Sequence, residues 1–343
     1  MIVRVCTFTK QGEMLAHRIF DDWEEMIPKF RTTDVSLEEW TGECFQKLLP
    51  ILFVGACGIA VRLIAPFVKD KLADSPVIVM DEKGEFVIPI LSGHVGGANE
   101  IAGIIAKRIG ATPVYTTATD VEGVFAVDVF ARKNGLRIEN REGIRRVSAK
   151  LLRGEEITIA LEESVVVCGE MPKNVRLAAF DEPDVDVRIV TKNGASTWKE
   201  KGQELLLTFQ DLVLGIGCKK GKTFEELRNF LMSELSEGWA SDVSAVASID
   251  LKKREEGLWE LAQYYHLQLE FFSAAELENV EGTFTASSFV RSVTGVDNVC
   301  ERAALKLAGE GGSLIRKKIA KDGMTLAVAK RRKSISFIAT GRE

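Results

Sequence analysis

Short β-branched runs alternate with segments of helical periodicity through the first 120 or so residues, and this alternation constrains the chain more than any other feature. Ile2–Phe8 reads as a strand and Met14–Trp23 as a helix. Leu52–Val54 reads as a buried strand that a glycine turn joins to the next helix. Val77–Met80 and Phe86–Leu91 flank Asp81–Glu82–Lys83–Gly84, the pattern of a hairpin. Ile101, Ile104, Ile105 and Ile109 keep helical spacing, with Gly110 placed to end the helix and Pro113 beyond it. Val114–Thr117 reads as the next strand. Strands that alternate with helices pack as layers, so the expected fold class is α/β.

With 343 residues and ~150 per domain, two or three domains are expected. Residues 1–123 read as a layered α/β domain, 124–203 as a small α/β middle region, and 211–343 as a separate α/β C-terminal domain. The middle region shows helical patterns (Phe125–Ala131, Arg141–Leu152) and strands (Ile157–Leu161, Val165–Val167, Val187–Val190). The polar stretch Lys192–Gln203 reads as a linker. The last region opens on the strand Leu212–Gly217, and Thr223 with Glu226 has capping-box spacing. It continues with strands at Val243–Ile249 and Leu267–Phe272, helices at Gly257–Tyr265 and Val299–Leu307, and a hairpin Ser313–Ile319 and Met324–Lys330 through Asp322–Gly323.

The longest apolar run, Leu48–Val61, is 14 residues long and holds a proline and two glycines. A membrane span needs ~20 residues, so this run is expected to be a strand and the start of a helix, with no membrane association. The start carries no signal-peptide pattern, and the six cysteines lie far apart with no CxxC pair. With only three histidines, neither a zinc cluster nor a disulfide framework is expected; the chain reads as cytoplasmic, with no metal site of its own. A net charge of −5 argues against nucleic acid as a partner. The charge is uneven, however: residues 301–343 hold 11 Lys+Arg against four Asp+Glu.

Five motifs sit where chemistry is plausible. Leu91–Asn99 (LSGHVGGAN) joins a strand to a helix; its glycines permit close approach, and a helix start favours an anion. His94 is the titratable group in that turn and suits acid or base work, or simply caps the helix. Gly55–Arg62 (GACGIAVR) is a second such junction, where Arg62 can pair with a carboxylate or lie exposed. Thr116–Asp120 (TTATD) follows a strand, and Asp120 can orient a histidine, accept a proton or cap a helix. Gly215–Gly221 (GIGCKKG) has the spacing of a weak phosphate or dinucleotide loop, which keeps a nucleotide-dependent oxidoreductase open. Thr294–Ala304 has Thr294, Asp297 or Asn298 capping a helix that presents Glu301, a proton carrier if buried near substrate and otherwise a helix residue.

Gly55–Arg62, Lys69–Lys71, Asp74, Leu91–Asn99 and Thr116–Asp120, in this order, resemble the N-terminal domain of the CbiG family of cobalamin biosynthesis. Gly215–Gly221, Ala247–Lys252, Phe271–Ala274, Val299–Ala304 and Ala327–Lys330 are similar to its C-terminal domain, which is shared with small CobE proteins. The proline of Lys71–Pro76 comes one place late, and Cys300 and Arg302 replace smaller residues around Glu301. The resemblance implies a cobalt-precorrin-5A hydrolase of the anaerobic route. Such an enzyme opens a δ-lactone with water and releases acetaldehyde, leaving cobalt-precorrin-5B. It implies no cofactor bound by the protein, because cobalt arrives inside the substrate, and it implies transient handover with other corrin-pathway enzymes. A corrinoid carrier without chemistry is the alternative.

Read onto that chemistry, His94, Asp120 and Glu301 are the expected catalytic groups. The substrate's carboxylates are expected to meet Gly55, Gly58, Arg62, Lys71, Ser92, Gly93, Gly96, Gly97, Asn99, Thr117, Gly215, Gly217, Lys219 and Lys220. The Gly96 and Gly97 N–H groups are expected to hold an oxyanion. Axial ligation of cobalt is a second possible role for His94.

Overall fold

The computed structural model describes residues 1–23, 26–70, 74–94, 96–162, 164–192, 198 and 203–337. Their contacts form two compact units, Met1–Val121 with Leu258–Tyr264, and Glu122–Gly257 with Tyr265–Glu343.

The first unit is built on a six-stranded sheet. Its strands are β1 (Ile2–Thr7), β2 (Ile27–Phe30), β3 (Ile51–Val54), β4 (Val77–Met80), β5 (Phe86–Leu91) and β6 (Thr112–Pro113), in the order β2-β1-β3-β4-β5-β6. Helices α1 (Lys10–Phe20), α2 (Leu37–Gln46), α3 (Cys57–Ile64) and α4 (Ala98–Ile109) cover both faces, and a short α5 (Ala118–Val121) follows. The period-2 alternation of β3 and β4 makes this double layer. Leu52, Val54, Ile78 and Met80 belong to a core with Leu15, Ile19, Ile101 and Ile105 of α1 and α4. Ile51, Phe53, Val77 and Val79 face the other way, with Trp40, Phe45, Ala60 and Ile64 of α2 and α3. The apolar run Leu48–Val61 therefore supplies a central strand and a covering helix.

Strand direction decides what reaches the site. β1 to β4 run parallel, β5 returns antiparallel to β4, and β6 is parallel to β5. Leu91 pairs with Val77 and Val87 with Met80, so the chain leaves β5 at the end where β4 begins.

One reading changes, and two elements appear where the patterns predicted none. The strand expected at Val114–Thr117 is only Thr112–Pro113: the Val114 N–H still donates to Val87 O (2.9 Å), and then the chain peels off. Tyr115 instead turns its hydroxyl to Asn99 O at the start of α4 (3.3 Å). Ile27–Phe30 is a strand despite Pro28, because it lies at the sheet edge where a missing N–H is tolerated. Leu37–Gln46 is a helix set by a Ser36–Glu39 capping box.

The second unit contains two five-stranded sheets. The strands are β7 (Leu136–Ile138), β8 (Ile157–Leu161), β9 (Val166–Cys168), β10 (Val175–Ala178), β11 (Val187–Val190), β12 (Leu205–Phe209), β13 (Leu212–Cys218), β14 (Val243–Ile249), β15 (Gln268–Phe272), β16 (Ser313–Lys321), β17 (Met324–Lys330) and β18 (Ser334–Ser336). One sheet has the order β10-β8-β11-β12-β7 and the other β15-β14-β13-β17-β16, while β18 pairs with β9. Helices α6 (Val127–Lys133) and α7 (Arg141–Leu152) cover the first sheet, whose core also takes in Ile335 and Phe337. The stretch read as a linker, Lys192–Gln203, lies mostly outside the described residues; β12, fully buried, begins two residues after it. Asp322 and Gly323 both have positive φ, as a tight hairpin turn requires. Among the described residues no helix is long and apolar enough to cross a membrane.

Candidate active site

β5 delivers the chain to a turn that folds tightly on itself. Ser92 has φ 54°, and its hydroxyl donates to Asp74 O (2.8 Å). The Ala98 and Asn99 N–H groups donate back to Ser92 O (3.1 Å) and Gly93 O (3.0 Å). A Cβ on Gly96 would lie 2.6 Å from Ser92 Cβ, and one on Gly93 would lie 2.5 Å from Asn99 Oδ1. Gly97 begins α4 in the left-handed region, φ 84°, where glycine carries no steric penalty. These glycines let the turn close. They do not leave the start of α4 open to an anion, because the loop's own carbonyls occupy its first N–H groups. Gly97 N–H also donates to His94 O (3.2 Å), so it is not the oxyanion donor expected of it. Among the described residues, Gly96 N–H has no partner.

The same turn aims His94 at α5. His94 Nε2 lies 2.8 Å from Asp120 Oδ2, and Asn99 Nδ2 donates to that same oxygen at 2.6 Å. Thr119 Oγ1 is 3.4 Å from the imidazole nitrogen. The side chains of His94 and Asp120 are 14% and 30% exposed, sheltered yet open to a ligand. Asp120 is held because its own N–H and that of Val121 donate to Thr117 O, both at 3.0 Å. Thr117 thus positions the carboxylate through its backbone. An ionised carboxylate on Nε2 places the proton there and the lone pair on Nδ1, and it stabilises the imidazolium that forms when Nδ1 takes a proton.

Asp74, named among the family motifs without a role, and Thr119, not singled out within its motif, both contribute to the site. The Asp74 carboxylate accepts from the N–H groups of Lys69 (2.9 Å) and Asp70 (3.1 Å), and its carbonyl holds Ser92. An aspartate just before Ser75–Pro76 is a turn-forming signal that marks such a loop anchor. Lys71 lies outside the described residues.

The second glycine motif sits elsewhere. Gly55 N–H donates to Met80 O (2.8 Å), at the far end of β4 from Val77 and Leu91. At ~3.3 Å per residue, roughly 10 Å of strand separates that level from the start of the His94 turn. Arg62 donates to Gly58 O of its own helix (3.1 Å), four residues back. Gly55, Gly58 and Arg62 are therefore not part of the His94 site.

In Gly215–Gly221 the first two glycines serve packing. Gly215 and Gly217 lie inside β13. A Cβ on Gly215 would fall 1.8 Å from Cys300 O, and one on Gly217 would fall 2.5 Å from Thr325 Oγ1. The first glycine lets the helix Cys300–Ala308 lie on the sheet, and the second lets β17 pair closely. Lys219 and Lys220 are exposed, and Gly221 N–H is taken by Glu255 (2.7 Å). The following helix start is closed by the Thr223–Glu226 capping box.

Glu301 is fully buried in the second unit, and its carboxylate is engaged. It accepts from Thr285 N–H (2.7 Å), Thr285 Oγ1 (2.9 Å) and Lys318 N–H (2.7 Å). Asn298 caps its helix, accepting from Glu301 N–H (2.9 Å) and donating to Thr285 O (2.9 Å). This network pins the loop around Thr285 to helix and sheet, a structural task in place of the proton transfer expected of Glu301.

Fold and site define a layered α/β protein that carries a carboxylate-oriented histidine. Family models described as cobalamin synthesis G N-terminal, cobalamin biosynthesis central region and cobalamin synthesis G C-terminus match residues 39–120, 125–171 and 212–329. The cobalt-precorrin-5A hydrolase of Salmonella typhimurium is 33% identical over 301 residues, 83% of this chain and 83% of the relative. That of Priestia megaterium is 33% identical over 323 residues, 90% of this chain and 85% of the relative. The crystal structure of CobE, a cobalamin-pathway protein, matches at 36% identity over 35% of this chain and 89% of its own, with a TM-score of 0.33. The chain belongs to the cobalamin synthesis G (CbiG) family.

Proposed function

We infer that the chain is a cobalt-precorrin-5A hydrolase of cobalamin biosynthesis, a reading that rests on relatives of that name matched over most of both chains. The geometric observation that carries the chemistry is the 2.8 Å contact of His94 with Asp120.

Water adds to the lactone carbonyl while His94 Nδ1 takes its proton, and Asp120 holds the imidazolium. Gly96 N–H is the donor for the oxygen that gains charge. The lactone C–O bond breaks as the imidazolium returns its proton to the departing oxygen, giving a free hydroxyl and a carboxylic acid that ionises to solvent, and the imidazole is neutral again. The same imidazole then accepts the hydroxyl proton as the carbon–carbon bond breaks and acetaldehyde leaves. The electron pair passes to the corrin ring, leaving cobalt-precorrin-5B. Cobalt enters as part of the substrate, and no cofactor held by the protein takes part in these steps. Axial ligation of cobalt by His94 would have to use Nδ1, since Nε2 faces Asp120.

Purified protein given cobalt-precorrin-5A should release acetaldehyde over many turnovers. Pigment binding without aldehyde above background would sink the hydrolase reading and leave a corrinoid carrier.

A further inference from the structure

The second unit contains a polar recess that the hydrolase reading does not use. Its volume is about 110 Å³, and it forms where Phe209–Asp211 leaves β12 and Arg331–Ser334 leaves β17, with Lys133 at the end of α6 alongside. Lys133, Arg331, Arg332 and Lys333 line it against one carboxylate, Asp211. That carboxylate already meets Lys330 (3.3 Å), and Lys333 already meets Glu162 (3.1 Å).

Arg331 is the unusual member. Its Nε is shut off from solvent without a hydrogen-bond partner. The bond recorded for its guanidinium among the described residues is a long one, Nη2 to Leu307 O at 3.4 Å. Burial also pulls its pKa below the usual arginine value. A buried guanidinium N–H without an acceptor is costly, and the planar fork matches the oxygens of a carboxylate or phosphate. The recess is small and partly open, which suits one such group.

We propose that this recess is an oxyanion site, with half-buried Arg331 as its fork and Lys133 and Arg332 as its outer cations. The ligand chemistry is a single phosphate or carboxylate group. The net positive charge of residues 301–343 favours its approach.

The test is isothermal titration of the full chain with inorganic phosphate and, separately, with succinate, at constant ionic strength. Saturable one-to-one binding is expected for at least one probe, weakened at least tenfold in Lys133→Ala and Arg332→Ala and lost in Arg331→Gln. Phosphate binding alone would assign the site to free phosphate; succinate binding alone would assign it to a carboxylate-bearing ligand. Arg331→Gln counts only if its melting curve stays cooperative, and the two outer variants carry the test otherwise. If neither probe saturates, or if both outer variants bind as the parent does, the proposal fails. None of these readouts depends on hydrolase turnover.

Discussion

His94 Nε2 and Asp120 Oδ2 lie 2.8 Å apart although 26 residues separate them, because parallel β5 and β6 release their chains at the same end of the sheet. Removing either partner should therefore act on kcat. His94→Ala should abolish acetaldehyde release while pigment binding survives. Asp120→Asn should lower kcat by on the order of 10²–10⁴-fold with little change in KM, since tautomer control is lost and binding surface is kept. Equal losses in binding and turnover would contradict this assignment.

Asn99 donates to the same Asp120 oxygen at 2.6 Å. Asn99→Asp would set a second carboxylate against the first and favour protonation of the pair. The acid limb of the pH–rate profile should then move to higher pH. An unmoved limb would mean that Asn99 only packs the turn.

Gly215→Ala should destabilise the second unit by roughly 1–3 kcal/mol or more, because its Cβ would meet the Cys300 carbonyl at 1.8 Å. Gly221→Ala, with open space but φ 79°, should cost about 1–2 kcal/mol. Chemical denaturation measures both. NAD(H) and NADP(H) should leave tryptophan fluorescence unchanged; saturable binding would revive the dinucleotide-loop reading.

Glu301→Gln turns one acceptor oxygen into a donor where three donors converge. It should cost about 1–3 kcal/mol of stability and leave kcat of the folded fraction intact. A fall in kcat without a fall in melting temperature would return Glu301 to the catalytic set.

Thiol labelling should split the cysteines. Burial pushes Cys44 up to about 12 and Cys6, Cys218 and Cys300 up to about 11. A thiol at 11 is only ~0.1% thiolate near pH 8, so these four should resist iodoacetamide in the native state. Cys168 is exposed and Cys57 half-buried, so these two should react. Mass spectrometry of native and denatured samples would show it.

Much of the architecture was legible in the residues. The alternation of Leu52 and Val54 with Ile51 and Phe53 required a strand buried on both faces, and the apolar spacing of Ile101 and Ile105 required a helix above it. Arg141–Leu152, Ile157–Leu161, Val187–Val190 and Val243–Ile249 fold over the spans their patterns predict. Ile27–Phe30 and Leu205–Phe209 escaped, one hidden by its proline and the other by a polar stretch before it.

What local sequence determined by itself was the inventory: an α/β layer, the His94 and Asp120 motifs, and glycines wherever backbones must approach. Tertiary structure alone decided which of these meet. The reversal at Asp81–Gly84 makes β5 antiparallel to β4, which carries Ser92–Asn99 to the end opposite Gly55 and toward Asp120. The same glycine signal that suggests a ligand cradle served chain packing at Gly215 and Gly217, because a missing Cβ admits a helix or a neighbouring strand as readily as a phosphate. Sequence spacing is local, whereas strand direction and helix packing are fixed by the whole sheet.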